Sequence, residues 1–241
     1  GTVIISAAAH CKDIRKVVEP TLKLNAGSIY YIDFSKDSFK LGGSSFAQTR
    51  NAIGSQAPSV KDPGYVKAAF TIIQQAIDLD LIAAGHDIGS GGLITTLLEM
   101  CFADPDIGAS IFLDRFEETD LIKILFAENA AVVVQANNDA ALEKLLKDTG
   151  ISFKKIGSLA PADAFHLHHA DQDFSWKVSE LRKKWFETSY LLDREQSGPK
   201  KAKERFDNFD KQPLNFVFPA NFDGKKPNFP KTRRIKAAII R

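Results

Sequence analysis

Runs of apolar residues with a period near two alternate along the chain with runs whose apolar positions recur every three to four residues, so strands and helices are expected in turn. Thr2 to Ala8 is β-branched and small apolar and predicts a strand. Ile14, Val17, Val18 and Leu22 follow at helical spacing, interrupted by Pro20, and predict a short helix. Ser28 to Phe34 alternates around two tyrosines and predicts a second strand, after which Leu41-Gly42-Gly43-Ser44-Ser45 predicts a glycine turn opening a helix. The clearest helix of the first half starts at Asp62-Pro63, an N-cap with a first-turn proline, and carries Val66, Ala69, Phe70, Ile73, Ala76 and Ile77 on one face.

Leu81 to Ala84 is a short buried-strand candidate ending at Gly85-His86-Asp87, and Gly91-Gly92 then open an apolar helix through Leu93, Leu97 and Met100. Strand candidates Ala109 to Leu113, Ala131 to Gln135 and Phe153 to Leu159 alternate with helix candidates Thr119 to Ala127 and Asp139 to Asp148. This order predicts an α/β fold, a mixed sheet covered by helices, over residues 1–160. A helical bridge is expected over 161–212, from a long amphipathic pattern, Trp176 to about Glu195, and a charged one near Lys200 to Phe209. Four prolines between Pro213 and Pro230 mark an extended linker over 213–230, and the run Ile235 to Ile240 is strand-like.

The 241 residues are 44% hydrophobic and 26% charged, which supports one sizeable core and a small appendage. The net charge of +2 conceals a division: residues 1–176 hold 15 Lys and Arg against 22 Asp and Glu, whereas residues 177–241 hold 17 against 8. The basic residues of that tail are interleaved with acids and prolines and form no aromatic-basic recognition motif, which argues for a solvated or domain-docking surface over nucleic acid. The longest apolar runs fall far short of the roughly 20 residues a membrane helix needs, and no signal segment opens the chain. Cys11 and Cys101 lie far apart with no C-x-x-C partner, so neither a disulfide framework nor a zinc site is indicated and a reducing, cytoplasmic setting fits best. An opening at Gly1 without methionine and a close just after a strand-like run lead us to expect a piece of a larger parent.

The chemically richest stretch is His86-Asp87-Ile88-Gly89-Ser90-Gly91-Gly92-Leu93, a polar glycine turn between a buried strand and a helix. Such a turn brings backbone N–H groups and a helix N-terminus to a phosphate, and an aspartate there, which alone would repel phosphate, suggests a bridging Mg²⁺. The other reading of the same residues is a tight turn with a helix-capping aspartate. Gly42, Gly43 and Ser44 form either a second phosphate-facing loop or a turn that lets strand and helix pack closely. His86 is expected to orient by hydrogen bonding, Glu99 and Glu128 to be structural or solvent-facing, and Cys101 to be a buried small residue. His166, His168 and His169 form an H-x-H-H cluster with no obvious carboxylate or cysteine partner in the sequence, and the tryptophans Trp176 and Trp185 are expected to pack on the bridging helix.

Four stretches in order carry a resemblance that covers nearly the whole chain. "HDIGSGGLITTLLEMCFAD" from His86 resembles the H-D-x-S-x-G-G-L-x-x-x-L-x-E-M segment of the phosphoribosylformylglycinamidine synthases. "VIISAAAHCKDIRKVVEP" from Val3, "LGGSSFAQ" from Leu41 and "ELRKKWFETSY" from Glu180 are similar to the same family in order and spacing, and "TRRIKAAIIR" resembles the first strand of its glutaminase domain. The resemblance implies a fold like the aminoimidazole-ribonucleotide synthetase C-terminal domain, with residues 231–241 beginning a glutaminase domain. It implies an activity in which ATP activates the amide oxygen of formylglycinamide ribonucleotide as a phosphoryl imidate, and ammonia from glutamine displaces the phosphate to give the amidine. ATP or ADP and Mg²⁺ are the implied cofactors, and synthetase A domains and a glutaminase domain of the same parent the implied partners.

On the family pattern, which has a catalytic nucleotide site and a pseudo-symmetric structural one, Asp87 matches a Mg²⁺ ligand of a nucleotide site, the structural one being favoured over the catalytic, and the serine two positions later contacts the nucleotide. Here Gly89 stands at the serine position and Ser90 one residue on, so contact at Gly89 falls to the backbone. Gly89, Ser90, Gly91 and Gly92, with Gly42, Gly43 and Ser44, are the implied nucleotide-binding residues. Neither cysteine lies in a nucleophile elbow, so glutamine hydrolysis is not expected of this chain, and no catalytic residue is assigned to it. A structural module docking synthetase to glutaminase, or another member of the synthetase superfamily, is the alternative.

Overall fold

In a computed structural model of the chain, which describes residues 6–10, 13–211, 217 and 219–221, seven strands form one mixed sheet in the order β2-β4-β1-β5-β3-β6-β7. The strands are β1 Ile29–Asp33, β2 Ile82–Asp87, β3 Gly108–Phe112, β4 Ala131–Ala136, β5 Phe153–Ala160, β6 Ala164–His169 and β7 Gln172–Lys177. All neighbours are antiparallel except β3 and β6.

The central strand shows why the sheet is covered on both faces. Ile29 to Ile32 are all buried, so the apolar run is continuous rather than alternating, as a strand between two helical layers requires. Tyr30 and Ile32 face α2 (Pro63–Asp78) and α5 (Asp139–Asp148), where Tyr65, Ala69, Ile73 and Ala76 meet Leu142 and Leu146. Ile29 and Tyr31 face α3 (Gly92–Phe102) and α4 (Leu121–Phe126), through Leu93, Leu97, Met100, Ile124 and Leu125. Asp62 caps α2 by accepting the Tyr65 amide at 3.0 Å, and Asn138 caps α5 through Ala141 at 3.0 Å. A short α1 (Ser45–Thr49) follows the Gly42-Gly43 turn, as expected.

Two expected elements differ. Of the strand predicted over Thr2 to Ala8, residues 2–5 lie outside the described residues and 6–8 are exposed without regular structure. The helix predicted from Ile14 to Leu22 is a single 3-10 turn, Ile14–Lys16, which ends at an extended Val17 and is followed by irregular chain with a bend at Pro20 and Thr21. The Glu19 carbonyl there accepts the Gly85 amide of β2 at 3.0 Å, and Leu22 enters the core. Pro20 has no amide to donate to the residue-16 carbonyl and so breaks a helix there, and the chain instead uses its Glu19 carbonyl on the edge strand β2.

A third correction concerns residues 164–177, expected within a helical bridge: they are the β6–β7 hairpin, and Trp176 lies on β7, stacked on Phe174 at 5.6 Å. The long helix begins only at Val178, as α6 (Val178–Ser197), and α7 spans Pro199–Phe206. The chain divides into two compact units after Thr188. In the second, Arg205 pairs with Asp193 at 2.6 Å and Tyr190 stacks on Phe206 at 4.6 Å. The predicted linker and final strand lie almost wholly outside the described residues. Among the described residues no helix is long and apolar enough to cross a membrane.

Candidate functional site

β2 runs further than the sequence pattern indicates, to Asp87, whose Cα pairs with Val132 of β4. Asp87 thus ends an ordered strand rather than sitting in the turn. Its backbone is fixed by the Thr96 hydroxyl, which donates to the Asp87 carbonyl at 3.1 Å, and by the Ile88 amide, which donates to Ala131 at 2.9 Å. The carboxylate is 81% exposed, with His86 Nδ1 at 3.3 Å from Oδ1. The same Nδ1 hydrogen-bonds the Asp87 carbonyl at 2.8 Å, and Nε2 lies 3.4 Å from Glu99.

The capping reading of Asp87 does not hold. The N-cap of α3 is Gly91, which makes no side-chain cap hydrogen bond, and Asp87 accepts no backbone amide among the described residues. Gly91 and Gly92 both adopt left-handed backbone, at φ +91° and +72°. A Cβ at Gly92 would lie 2.6 Å from the Leu125 carbonyl, and one at Gly91 would strike the Thr95 hydroxyl. Gly92 lets the turn fold against α4, and Gly91 leaves room for Thr95 of α3. Gly89 and Ser90 differ: their amides have no partner among the described residues, and a Cβ at Gly89 would meet open space. Two N–H groups without a partner among the described residues therefore follow Asp87, whose exposed carboxylate is approached by His86.

The Gly42 loop spends its donors internally. The amides of Gly42 and Gly43 go to Gln56 and Ile53 carbonyls at 2.8 and 2.7 Å, and the Ser44 amide goes to Leu41 at 3.2 Å. Ser44 is the N-cap of α1, accepting the Ala47 amide at 3.2 Å. A Cβ at Gly42 would collide with the Gln56 carbonyl, so this glycine is set by close backbone approach. The loop nevertheless meets the first one, through a residue the sequence left as structural: Glu128 Oε1 accepts both the Ser45 amide and the Gly91 amide at 2.8 Å.

A cleft of about 380 Å³ opens beside Asp87, lined by Val18, Pro20, Ile73, Ile77, Ile82 and Val132 among others. Among the described residues no three His, Cys, Asp or Glu side chains are arranged to hold a metal ion by themselves. Mg²⁺ does not require that, since it binds through one or two carboxylates with phosphate oxygens and water completing an octahedron. Asp87 offers such a carboxylate. The histidine cluster does have acidic neighbours: His168 meets Asp173 at 2.7 Å and Asp114 at 3.2 Å. Cys101 is fully buried, and burial pushes its thiol up to about 12, so it is inert packing. Cys11 lies outside the described residues.

The sequence pattern of the family described as AIR synthase related protein, C-terminal domain, matches residues 37–169, more than half of the chain and the stretch holding both glycine loops. The chain belongs to that family. It is 36% identical over 203 residues to the probable phosphoribosylformylglycinamidine synthase, chloroplastic/mitochondrial, of Arabidopsis thaliana, covering 81% of this chain and 14% of that protein. It is 33% identical over 224 residues to the probable phosphoribosylformylglycinamidine synthase of Caenorhabditis elegans, covering 85% of this chain and 17% of the relative. This AIR-synthase-related chain thus spans less than a fifth of the curated relatives it matches. Its fold resembles T. maritima PurL complexed with ATP, with a TM-score of 0.55 at 14% identity over 70% of this chain and 28% of that one.

Proposed function

We propose that this AIR-synthase-related domain forms one wall of a Mg²⁺-nucleotide site in a phosphoribosylformylglycinamidine synthase, an ATP-dependent carbon–nitrogen ligase of purine biosynthesis with glutamine as amide donor. The observation that carries the reading is the exposed Asp87 carboxylate followed by the amides of Gly89 and Ser90, which have no partner among the described residues, in the stretch most like that family. Asp87 would hold Mg²⁺, and the two amides would receive a phosphate oxygen at the mouth of α3, where the helix dipole adds to their attraction. Gly91 and Gly92 give the turn its shape; Gly42, Gly43 and Ser44, whose amides are spent within their own loop, serve by holding that loop in place.

A bound Mg²⁺-nucleotide supplies phosphoryl chemistry or, in a structural role, binding energy to the fold. This chain contributes positioning and charge neutralisation. Synthetase A domains of the same parent would complete the site and a glutaminase domain would supply ammonia, in a reducing, cytoplasmic setting; the isolated chain is expected to be inactive. The similarity of the chain to the Arabidopsis and C. elegans synthases, and of its fold to an ATP-complexed PurL, supports this assignment.

The test compares full-length protein with its Asp87→Ala variant for retained nucleotide, Mg²⁺ dependence and thermal stability. Loss of retained nucleotide is expected. Normal retention would remove the metal-ligand role and leave the glycine turn as architecture in a module that docks synthetase to glutaminase.

A further inference from the structure

Residues 128–131, between the end of α4 and the start of β4, hold pieces of chain that are remote in sequence. Glu128 Oε1 accepts the Gly91 amide and the Ser45 amide, each at 2.8 Å. Asn129, only 1% exposed, donates from Nδ2 to the Ser35 hydroxyl at 3.3 Å and to the Asp37 and Ser38 carbonyls at 3.2 Å. The Ala130 carbonyl accepts the Phe34 amide, and the Ala131 carbonyl accepts the Ile88 amide, both at 2.9 Å. The stretch leading from β1 to α1 and the turn from β2 to α3 are thus fastened to one tetrapeptide.

Its most demanding member is Glu128. A single carboxylate oxygen serves two amides, that of the first residue of α1 and that of the N-cap of α3, so the position of that oxygen fixes the distance between the two turns. Gly91 is held with its amide turned inward to Glu128, and the left-handed backbone at Gly91 then leaves the two preceding amides, Gly89 and Ser90, turned to neither. Leaving both amides without that oxygen would cost each its solvation.

We propose that Glu128, backed by Asn129, is a positioning residue of the nucleotide site: it presets the Gly89–Ser90 amides beside Asp87 by clamping Gly91 to the start of α1. This rests on the nucleotide reading above. It assigns the Gly42-Gly43-Ser44 loop a part in that site at one remove, through Ser45, and it makes the carboxylate's geometry, rather than its charge, the property that matters. Both amides use the same oxygen, and glutamine offers an oxygen in that place.

The experiment uses full-length protein carrying Glu128→Gln, Glu128→Asp, Glu128→Ala or Asp87→Asn, with Mg²⁺-ADP as the probe. Two readouts are taken: the dissociation constant, and amide hydrogen exchange of the peptides around Ser45 and Gly91 without nucleotide. Glu128→Ala and Glu128→Asp, whose side chain is one methylene too short, are expected to weaken Mg²⁺-ADP by about 10-fold or more, the scale of an amide pair left unpaired. Both peptides should lose protection together in these variants. Glu128→Gln should stay within about 3-fold of wild type and keep protection in both peptides.

Loss of protection with unchanged affinity would make Glu128 a structural staple and overturn the proposal, as would a Gln variant as impaired as Ala. Unchanged protection in Ala and Asp variants would overturn the clamp itself. Failure of wild type to bind Mg²⁺-ADP, or normal binding by Asp87→Asn, would instead overturn the nucleotide reading, while the exchange data still report on the clamp.

Discussion

The Tyr65 hydroxyl stands between two strand ends, accepting the Ser152 amide at 2.8 Å and donating to the Asp33 carbonyl at 3.1 Å. One atom of α2 therefore satisfies backbone groups where β1 stops and just before β5 begins. Tyr65→Phe keeps the ring, 8% exposed in the wild type, and removes only those two bonds. The expected cost is about 1–3 kcal/mol, read as a lower denaturant midpoint at unchanged slope. An unmoved midpoint would mean that solvent takes over both groups.

Asp139, the first residue of α5, accepts the Ser28 amide and hydroxyl at 2.9 and 2.6 Å and pairs with Lys155 at 2.8 Å. Burial works against its charge, but the bonds from Lys155 and Ser28 outweigh it and hold the carboxyl down at about 2. A depressed folded-state value contributes stability that is full above the unfolded carboxyl value, near 4, and is lost as pH falls through about 2. With the side chain still 32% exposed, screening limits this to about 1–2 kcal/mol. Urea unfolding of wild type and Asp139→Asn from pH 6 to pH 2 should show the gap between them closing only in the lower half of that range. A gap constant with pH would exclude the ionised pair as its source.

The glycines at the mouth of α3 should respond oppositely to a side chain. Gly92→Ala introduces a Cβ at φ +72° and 2.6 Å from the Leu125 carbonyl, and should cost more than about 2 kcal/mol in thermal unfolding. Gly89→Ser places its Cβ in open space and restores the serine of the resembling segment, so stability should change by less than about 0.5 kcal/mol. Under the nucleotide proposal the added hydroxyl should tighten retention of the nucleotide, and a weaker one would count against Gly89 as a contact.

His168 lies between Asp173 and Asp114, and the bond to Asp173 raises it above the ordinary 6.5 in spite of some desolvation, with Asp114 adding to the effect. A raised value stabilises the folded hairpin fully below the unfolded value and ceases to do so as pH climbs through the folded one. The imidazole resonance of His168 should titrate above 6.5 in wild type and closer to it in Asp173→Asn. A wild-type midpoint at or below 6.5 would show that the pair does not form in solution.

Some elements were legible because their signals are local. Asp62-Pro63 announces α2, the apolar spacing fixes α5 to its terminal residues, and the order of strand, glycine turn and helix around residues 82–102 is the one observed in β2 and α3. The β6–β7 hairpin was not legible: its turn passes through Ala170 at φ +54°, with neither glycine nor asparagine to mark it, and β6 is rich in histidine. The helical spacing of Val18 and Leu22 was real but served two destinations, the side of Gly85 and the core beneath Met100. Glu128 was invisible for a different reason. Its two partners lie 37 and 83 residues away, so nothing in its own neighbourhood distinguishes it from a solvated acid.

The single parallel pair of the sheet also bears on how the chain reaches this fold. β5 and β6 are consecutive and antiparallel to one another, yet β3 lies between them, paired with both. The connection over residues 161–163 must then pass across the start of β3, where Gly108 has the Ala164 carbonyl 2.6 Å from where its Cβ would be. β5 and β6 cannot zip up as a local hairpin first; they close around a strand already in place, at a loop-closure cost that delays them. In pulse-labelled refolding we expect β6 and β7 to gain protection after β1, β4 and β5, and protection of β6 before β3 would contradict this order.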